Sequence, residues 1–321
     1  MKRFDVTALG ELLIDFIQNG ESEQGNPLFE ANPGGAPCNV LAMLTKLGYN
    51  TSFIGKVGND SFGSQLKDAI TDVGINADYL YMDDEVHTTL ALVHTFPDGD
   101  RDFSFYRNPG ADMMLTENEI PEDVIKNSRI FHFGTLSMTH EGVRNATKKA
   151  VGIAKDAGVI ISFDPNLRPP LWKTLDDARE QVLYGLGQCD ILKISDNEIQ
   201  WLSGETDYTR GVERINRQFN IPLILVSMGK EGSRAYYKGD MVEAAPFIQE
   251  KTIETTGAGD TFCGCILHYI LEHGLDELSK EDLKEMLTFA NSAASLVTTR
   301  KGALKVMPSK EEILSNISLR K

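Results

Sequence analysis

The stretch with the densest chemical potential is Thr255-Thr256-Gly257-Ala258-Gly259-Asp260-Thr261-Phe262, which runs straight into the apolar segment 263–270. Two glycines and an alanine carry no bulky side chain, so backbone N–H groups there can approach a phosphate closely. A helix starting behind them turns its partial positive end toward that anion. Asp260 is the odd member, because a carboxylate facing a phosphate is repelled. It makes sense as a base that removes a proton from the group attacking the phosphate. The plainer reading is a glycine-rich turn with Asp260 as N-cap.

A second glycine cluster is Asn32-Pro33-Gly34-Gly35-Ala36-Pro37-Cys38-Asn39. Gly34 and Gly35 let main chain pass close to a ligand, and Asn39 opens a helix with an amide that both donates and accepts. Asp15, just after the first strand-like run, can accept hydrogen bonds from hydroxyls, and Arg107 supplies fixed donors. Neutral sugars need this mixture of carboxylate, amide and guanidinium, whereas a phosphosugar calls for a denser Lys/Arg cluster. Any one of these residues alone is more often a cap, a turn or a surface charge. A Walker A pattern is absent, since Gly55-Lys56 and Gly229-Lys230 lack the earlier glycine, and no G-x-G-x-x-G follows the first strand.

The 321 residues are enough for one large core, and 41% apolar with 25% charged residues is ordinary for a soluble globular chain. A formal charge of −15 disfavours nucleic acid and anionic membrane as partners. It does not forbid a nucleotide, because the local field at a site outweighs net charge. Asp5, Glu11 and Asp15 interrupt any signal-peptide core, and the apolar run 221–226 is too short to span a bilayer. Cys38, Cys189, Cys263 and Cys265 form no C-x-x-C pair and read as buried free thiols. A cytoplasmic protein is expected.

The elements that must position these residues alternate. Strands are expected at 4–10, 51–57, 159–164, 190–194 and 223–228. Helices are expected at 39–48, from Asp60 or Ser61 to Gly74, and at 141–157, 176–188 and 209–219. Strands buried on both faces and separated by helices mean a mostly parallel α/β sheet. Two stretches break the rhythm. Residues 12–33 hold alternating segments around a polar middle. Residues 86–107 read as a hairpin with arms 88–96 and 101–107, a turn at Pro97-Asp98-Gly99-Asp100, and Phe103, Phe105 and Arg107 on one face. A small inserted sheet of this kind serves as a lid, a surface ribbon or a dimer interface.

Taken together, Gly34-Gly35-Ala36-Pro37-Cys38-Asn39 and Glu254 to Phe262 resemble the two signatures of the ribokinase-like (PfkB) carbohydrate kinases. Gly10-Glu11…Asp15, the run 53–63 and Ser227-Met228-Gly229-Lys230-Glu231-Gly232 extend the likeness over essentially the whole chain. Residues 106–112 and 164–172 are similar to those of bacterial and plant fructokinases. The resemblance implies one domain over residues 1–321, a three-layer α/β/α core with a mostly parallel sheet, and a lid from 12–33 and 86–107. It also implies ATP-dependent phosphorylation of D-fructose at position 6. The same family also holds 2-keto-3-deoxygluconate, ribose and riboside kinases, and a silent sugar-binding regulator is the reading from another class.

By the same resemblance Asp260 is the base and Gly257, Ala258 and Gly259 form the anion hole. Asp15, Gly34, Gly35, Asn39 and Arg107 hold the sugar. Ser227, Gly229, Gly232 and Asn291 line the nucleotide pocket, and Lys193 and Arg168 face the ATP phosphates. Glu198 organises Mg²⁺ through water, in a motif where Ser195 replaces the commoner Asn. Glu254, standing where Asp is usual, and Thr256 belong to a monovalent-cation loop with the turn around Lys301-Gly302, which implies a potassium site. A homodimer through the lid sheet completes the set of expectations.

Overall fold

The computed structural model describes residues 3–95 and 101–320. In chain order the elements are β1 (Phe4–Leu9), β2 (Leu13–Glu21), β3 (Pro27–Gly34), α1 (Ala36–Lys46), β4 (Thr51–Gly58), α2 (Ser61–Asp72), β5 (Asn76–Asp83), β6 (Leu90–Thr95) and β7 (Arg101–Tyr106). There follow α3 (Glu122–Lys126), β8 (Ser128–Gly134), α4 (Glu141–Asp156), β9 (Ile160–Asp164), α5 (Leu175–Leu186), β10 (Ile191–Ser195), α6 (Asp196–Ser203) and α7 (Tyr208–Phe219). The last part holds β11 (Leu223–Ser227), β12 (Ser233–Tyr237), β13 (Asp240–Ala244), α8 (Ala258–His273), α9 (Lys280–Val297) and α10 (Lys310–Ser318).

Among the described residues nine strands form one sheet, in the order β13-β12-β11-β10-β9-β8-β1-β4-β5. The pairs from β5 across to β11 are parallel, while β12 and β13 add on antiparallel. Alternation within a strand feeds two cores. Leu223 and Leu225 of β11 join the cluster under α1, α8 and α9, whereas Ile224 and Val226 join the cluster under α4 to α7. That two-sided burial is why these strands read as nearly continuous apolar runs, and it produces the three layers expected. Burying each Leu or Ile side chain contributes about 1.5–3 kcal/mol. α8 is buried nearly all round, from Thr261 to Leu271, because it lies between sheet, α1 and α9. An apolar surround of this kind is the mark of a central helix.

The chain starts at the middle of the sheet, runs outward through β4 and β5, and returns on the other side of β1 at β8. Strand order therefore reverses between β1 and β8, and loops from both directions diverge there. A crevice at the carboxyl ends of the strands follows from that reversal.

A separate sheet, in the order β3-β2-β6-β7, is built from the two stretches that broke the rhythm. β2 pairs antiparallel with β3 and parallel with β6, and β6 pairs antiparallel with β7. The turn expected at Pro97-Asp98-Gly99-Asp100, and Phe96, lie outside the described residues. So does the side chain of Phe103. Arg107 lies one residue beyond β7. α1 begins at Ala36, three residues earlier than expected, with Pro37 in its first turn, where a missing N–H costs nothing. Asn39 is thus on the first turn and not at its opening. No helix among the described residues is long and apolar enough to cross a membrane.

Candidate active site

Two cavities of about 300 Å³ meet at the N-terminus of α8. Gly259 lines both. Gly257 caps the helix in the left-handed region, at φ 77°, a conformation that glycine adopts without steric cost. The first ladder bond runs from Thr261 N to Gly257 O at 2.8 Å, so amides ahead of it have no partner inside the helix and point out of its end. Ala258 is a partial exception, since its N–H turns back onto Thr255 O at 3.3 Å. Asp260 is not the cap: it is the third residue of the helix, and its carboxylate lines the polar cavity.

Asp260 Oδ2 accepts from Asn39 Nδ2 at 2.8 Å, a contact between residues 221 apart in sequence. The Asn39 carbonyl Oδ1 is buried with no hydrogen-bond partner among the described residues. A buried acceptor in that condition is costly unless a ligand donor meets it. Asp15 reaches the same cavity from β2. Gly34 does not line it; its Cα packs so close to Asp15 that an added Cβ would fall 2.3 Å from Oδ2. Gly35 does line it, and a Cβ there would meet Glu11 O at 2.4 Å. One glycine makes room for the carboxylate, the other for the main chain.

Burial pushes the Asp260 carboxyl up to about 6; the Asn39 bond, Lys193 and Arg168 pull it down and Asp164 pushes it further up. Burial also pushes Asp15 up to about 7, against the pull of Arg168 and with added push from Glu254 and Asp260. A carboxylate held near neutrality in this way is suited to taking a proton. Lys193 Nζ sits 2.9 Å from Asp164 Oδ2. Burial opposes its charge, yet Asp164, Glu198 and Asp260 together raise its pKa. It stands over the helix end, where a Cβ on Gly259 would meet Nζ at 3.3 Å. Arg168 borders the polar cavity and a neighbouring one of about 440 Å³ that also holds Lys193, Ser195 and Glu198.

Several expected residues sit differently from the sequence reading. Among the described residues, Arg107 does not border these three cavities. It is buried, with Nε and Nη2 on Asp112 Oδ2 (2.8 and 2.6 Å), Nη1 on Thr139 Oγ1 (2.8 Å) and Nη2 on Leu136 O (2.9 Å). Those bonds commit the guanidinium to bracing the root of β7, whereas Phe105 and Leu136 border the cavity directly. Asn291 borders the second cavity, but its amide is spent on Ser233 Oγ, Ala244 O and Ala245 O. It ties α9 to the β12–β13 edge. Ser227, Gly229 and Gly232 line that cavity beside Phe247 and Ile248, which makes its wall mostly apolar.

Glu198 closes a capping box on α6: Oε2 accepts from Ser195 N and Oγ (2.8 and 2.7 Å), and Oε1 from Leu167 N (2.7 Å). Among the described residues no group of three or more His, Cys, Asp or Glu could hold a metal ion by itself. A single carboxylate bordering an open cavity together with Lys193 and Arg168 fits Mg²⁺, which keeps its waters and takes further oxygens from phosphate. Glu254 is buried, with Oε2 accepting from Gly302 N at 3.0 Å, and Thr256 lines the polar cavity. Carboxylate oxygen at the base of the loop that leads into α8 also suits a hard monovalent cation.

Sequence reasoning missed several cavity residues, Glu11 and Asn166 among them. Glu11 follows β1, accepts from Ala36 N at 2.9 Å, and is pushed up to about 7 by burial. Asn166 follows β9 in the left-handed region at φ 43° and borders three cavities. Both follow strands of the parallel sheet, and position at a strand's carboxyl end was the signal that could have found them.

The family model for pfkB family carbohydrate kinases matches residues 3–310. Fructokinase-1 of Zea mays is 38% identical over 314 residues, covering 97% of this chain and 97% of that protein. Among solved structures, fructokinase with bound ATP from Xylella fastidiosa superposes with a TM-score of 0.89 at 29% identity, over 98% of this chain and 99% of that one. A double-mutant fructokinase of Vibrio cholerae, in fructose-, ADP- and potassium-bound form, gives 0.88 at 27% identity over 99% of each chain.

Proposed function

The chain belongs to the pfkB family of carbohydrate kinases, and from that premise we propose that it transfers the γ-phosphoryl of ATP to the 6-hydroxyl of D-fructose. The observation that supports this most is the meeting of Asp260, Asn39 and Asp15 in one cavity at the N-terminus of α8, with the second, mostly apolar cavity adjoining. Fructose lies in the polar cavity, its hydroxyls donating to Asp15 and to the unpartnered Asn39 oxygen. Adenosine lies in the apolar one, between Gly229 and Gly232 on one side and Phe247 and Ile248 on the other.

Asp260 takes the proton from the acceptor hydroxyl as that oxygen attacks phosphorus. The amides at the start of α8 meet the equatorial oxygens of the migrating phosphoryl, and Lys193 and Arg168 meet the charge that builds on the leaving ADP. Glu198 would hold Mg²⁺, which would supply further charge neutralisation, and Glu254 and Thr256 would hold K⁺, which would support the loop leading into α8. The small sheet acts as a lid, with Phe105 over the sugar, and its closure keeps water from competing as acceptor. The four buried free thiols suit a reducing, cytoplasmic compartment.

A panel of sugars with coupled ADP detection, run with and without K⁺, tests the assignment. Fructose is expected to exceed ribose and 2-keto-3-deoxygluconate in kcat/KM by up to about 10⁴-fold, because polar pockets reject mismatched hydroxyls strongly. A preference for either rival sugar removes the fructose assignment and leaves the kinase. Dimerisation through the small sheet is part of the same reading, since Leu28, Phe29 and Tyr106 stand exposed on it. Sizing at micromolar concentration is expected to show a dimer, and a persistent monomer refutes that part.

A further inference from the structure

The segment Lys301-Gly302-Ala303, beyond α9, touches the small sheet on one side and the anion-hole loop on the other. Toward the sheet, Lys301 Nζ donates to Asn19 Oδ1 of β2 at 3.0 Å. A Cβ on Gly302 would lie 3.5 Å from Asn32 Oδ1 of β3. Toward the loop, Gly302 N donates to Glu254 Oε2 at 3.0 Å. Ala303 packs on Gly257 so closely that a Cβ added there would fall 2.5 Å from the Ala303 Cβ. Glu254 is also fixed through its own N–H, which donates to Thr298 O at 3.1 Å. Every step of this path, from β2 to the cap of α8, is a direct contact.

We propose that residues 301–303 relay the position of the lid to the anion hole, with Lys301 and Asn19 as the contact pair. The proposal rests on the kinase reading and on the small sheet acting as a lid. When the lid lies over an acceptor, Asn19 anchors Lys301 and the turn presses Gly302 onto Glu254 and Ala303 onto Gly257. When the lid lifts, the turn loses its outer anchor, and the amides at the head of α8 lose the support that holds them on the phosphoryl position. Transfer is thereby favoured only when a sugar is covered, which disfavours transfer to water. Lys301 does not touch the reacting atoms; it is a positioning residue that acts through Gly302 and Ala303.

The test is steady-state kinetics on the full chain. Lys301 and Asn19 are both exposed, so substitutions there leave folding intact, with thermal melts as the control. Asn19→Ala and Lys301→Ala are each expected to lower kcat about fivefold, the low end of coupling between sites. KM for fructose and for ATP should stay within about twofold, the pattern of an interaction used in the transition state. The double variant should be no slower than either single, because both changes break one contact. Asn19→Asp, which offers the ammonium another oxygen acceptor, should restore kcat. Additive losses, unchanged kcat in both singles, or a raised KM for fructose at unchanged kcat overturn the relay, the last being the mark of a lid that merely grips the sugar less well. A wild-type chain that consumes ATP with no sugar of the panel overturns the underlying kinase reading and the relay with it.

Discussion

An Asp260→Asn enzyme is expected to bind ATP and fructose as the parent does and to turn over about 10²–10⁴-fold more slowly. The amide keeps the oxygen that accepts from Asn39 and the volume of the side chain, so the cavity survives. What disappears is the lone pair basic enough to take the hydroxyl proton. Calorimetric titration beside kcat separates the two effects, and a loss of less than about tenfold shows that some other group is the base.

The same residue is expected to set the acid limb of the parent. Its carboxyl lies near 6 and that of Asp15 near 7, and both must be ionised, so activity falls as pH drops through that range and falls more steeply than a single titration allows. Stability runs the other way. A carboxyl raised in the folded state binds its proton more tightly there than in the unfolded chain, so the fold is strained at neutral pH and relieved as pH falls from about 6 toward 4. Asp260→Asn is therefore expected to raise Tm by about 2–4 °C at pH 7 and to leave it unchanged below pH ~4, where both states are protonated.

Gly257→Ala is the second change with a large expected effect, a fall in kcat of about 10²–10³-fold, the worth of one oxyanion-type donor. Two causes act together. The backbone is in the left-handed region at φ 77°, and the new methyl would sit 2.5 Å from the Ala303 Cβ. The loop must shift by several tenths of an ångström to relieve that contact, and the amides behind it shift too. KM for fructose should change little, since Asp15 and Asn39 are held by other elements. Gly204→Ala is the control: it is also left-handed, at φ 73°, but with nothing within 4 Å of the added methyl. Equal losses of kcat in the two variants show that backbone strain, and not displacement of the anion hole, is responsible.

Much of the fold was legible because its signals are local. Continuous apolar runs such as Leu223 to Val226 declare strands buried on both faces, and Asp60 ahead of Phe62, Leu66 and Ile70 declares a capped amphipathic helix. The two glycine clusters were legible for the same reason: only residues without a bulky side chain allow main chain to come that close to a ligand, and the demand is written at the position itself. The strand Ser128 to Gly134 escaped notice, because Arg129 and His132 break its apolar run. His132 is tolerated inside the core as a neutral ring, 3.0 Å from Ser162 Oγ and pushed down to about 3 by burial.

Partners were another matter. The sequence by itself determined which residues have chemistry to offer; the order of nine strands decided which of them meet. Asn39 faces Asp260 across 221 residues only because α1 and α8 pack side by side on one face of the sheet. Arg107 looked free to grip a ligand, but the chain beyond β7 brings Asp112, Leu136 and Thr139 around it and engages most of its donors. Glu11 looked like a break in an apolar run, and the reversal of strand order beside β1 made it a wall of the cavity. Side-chain type is a local property, whereas hydrogen-bond satisfaction depends on every group that burial brings within reach, and that is settled by tertiary packing.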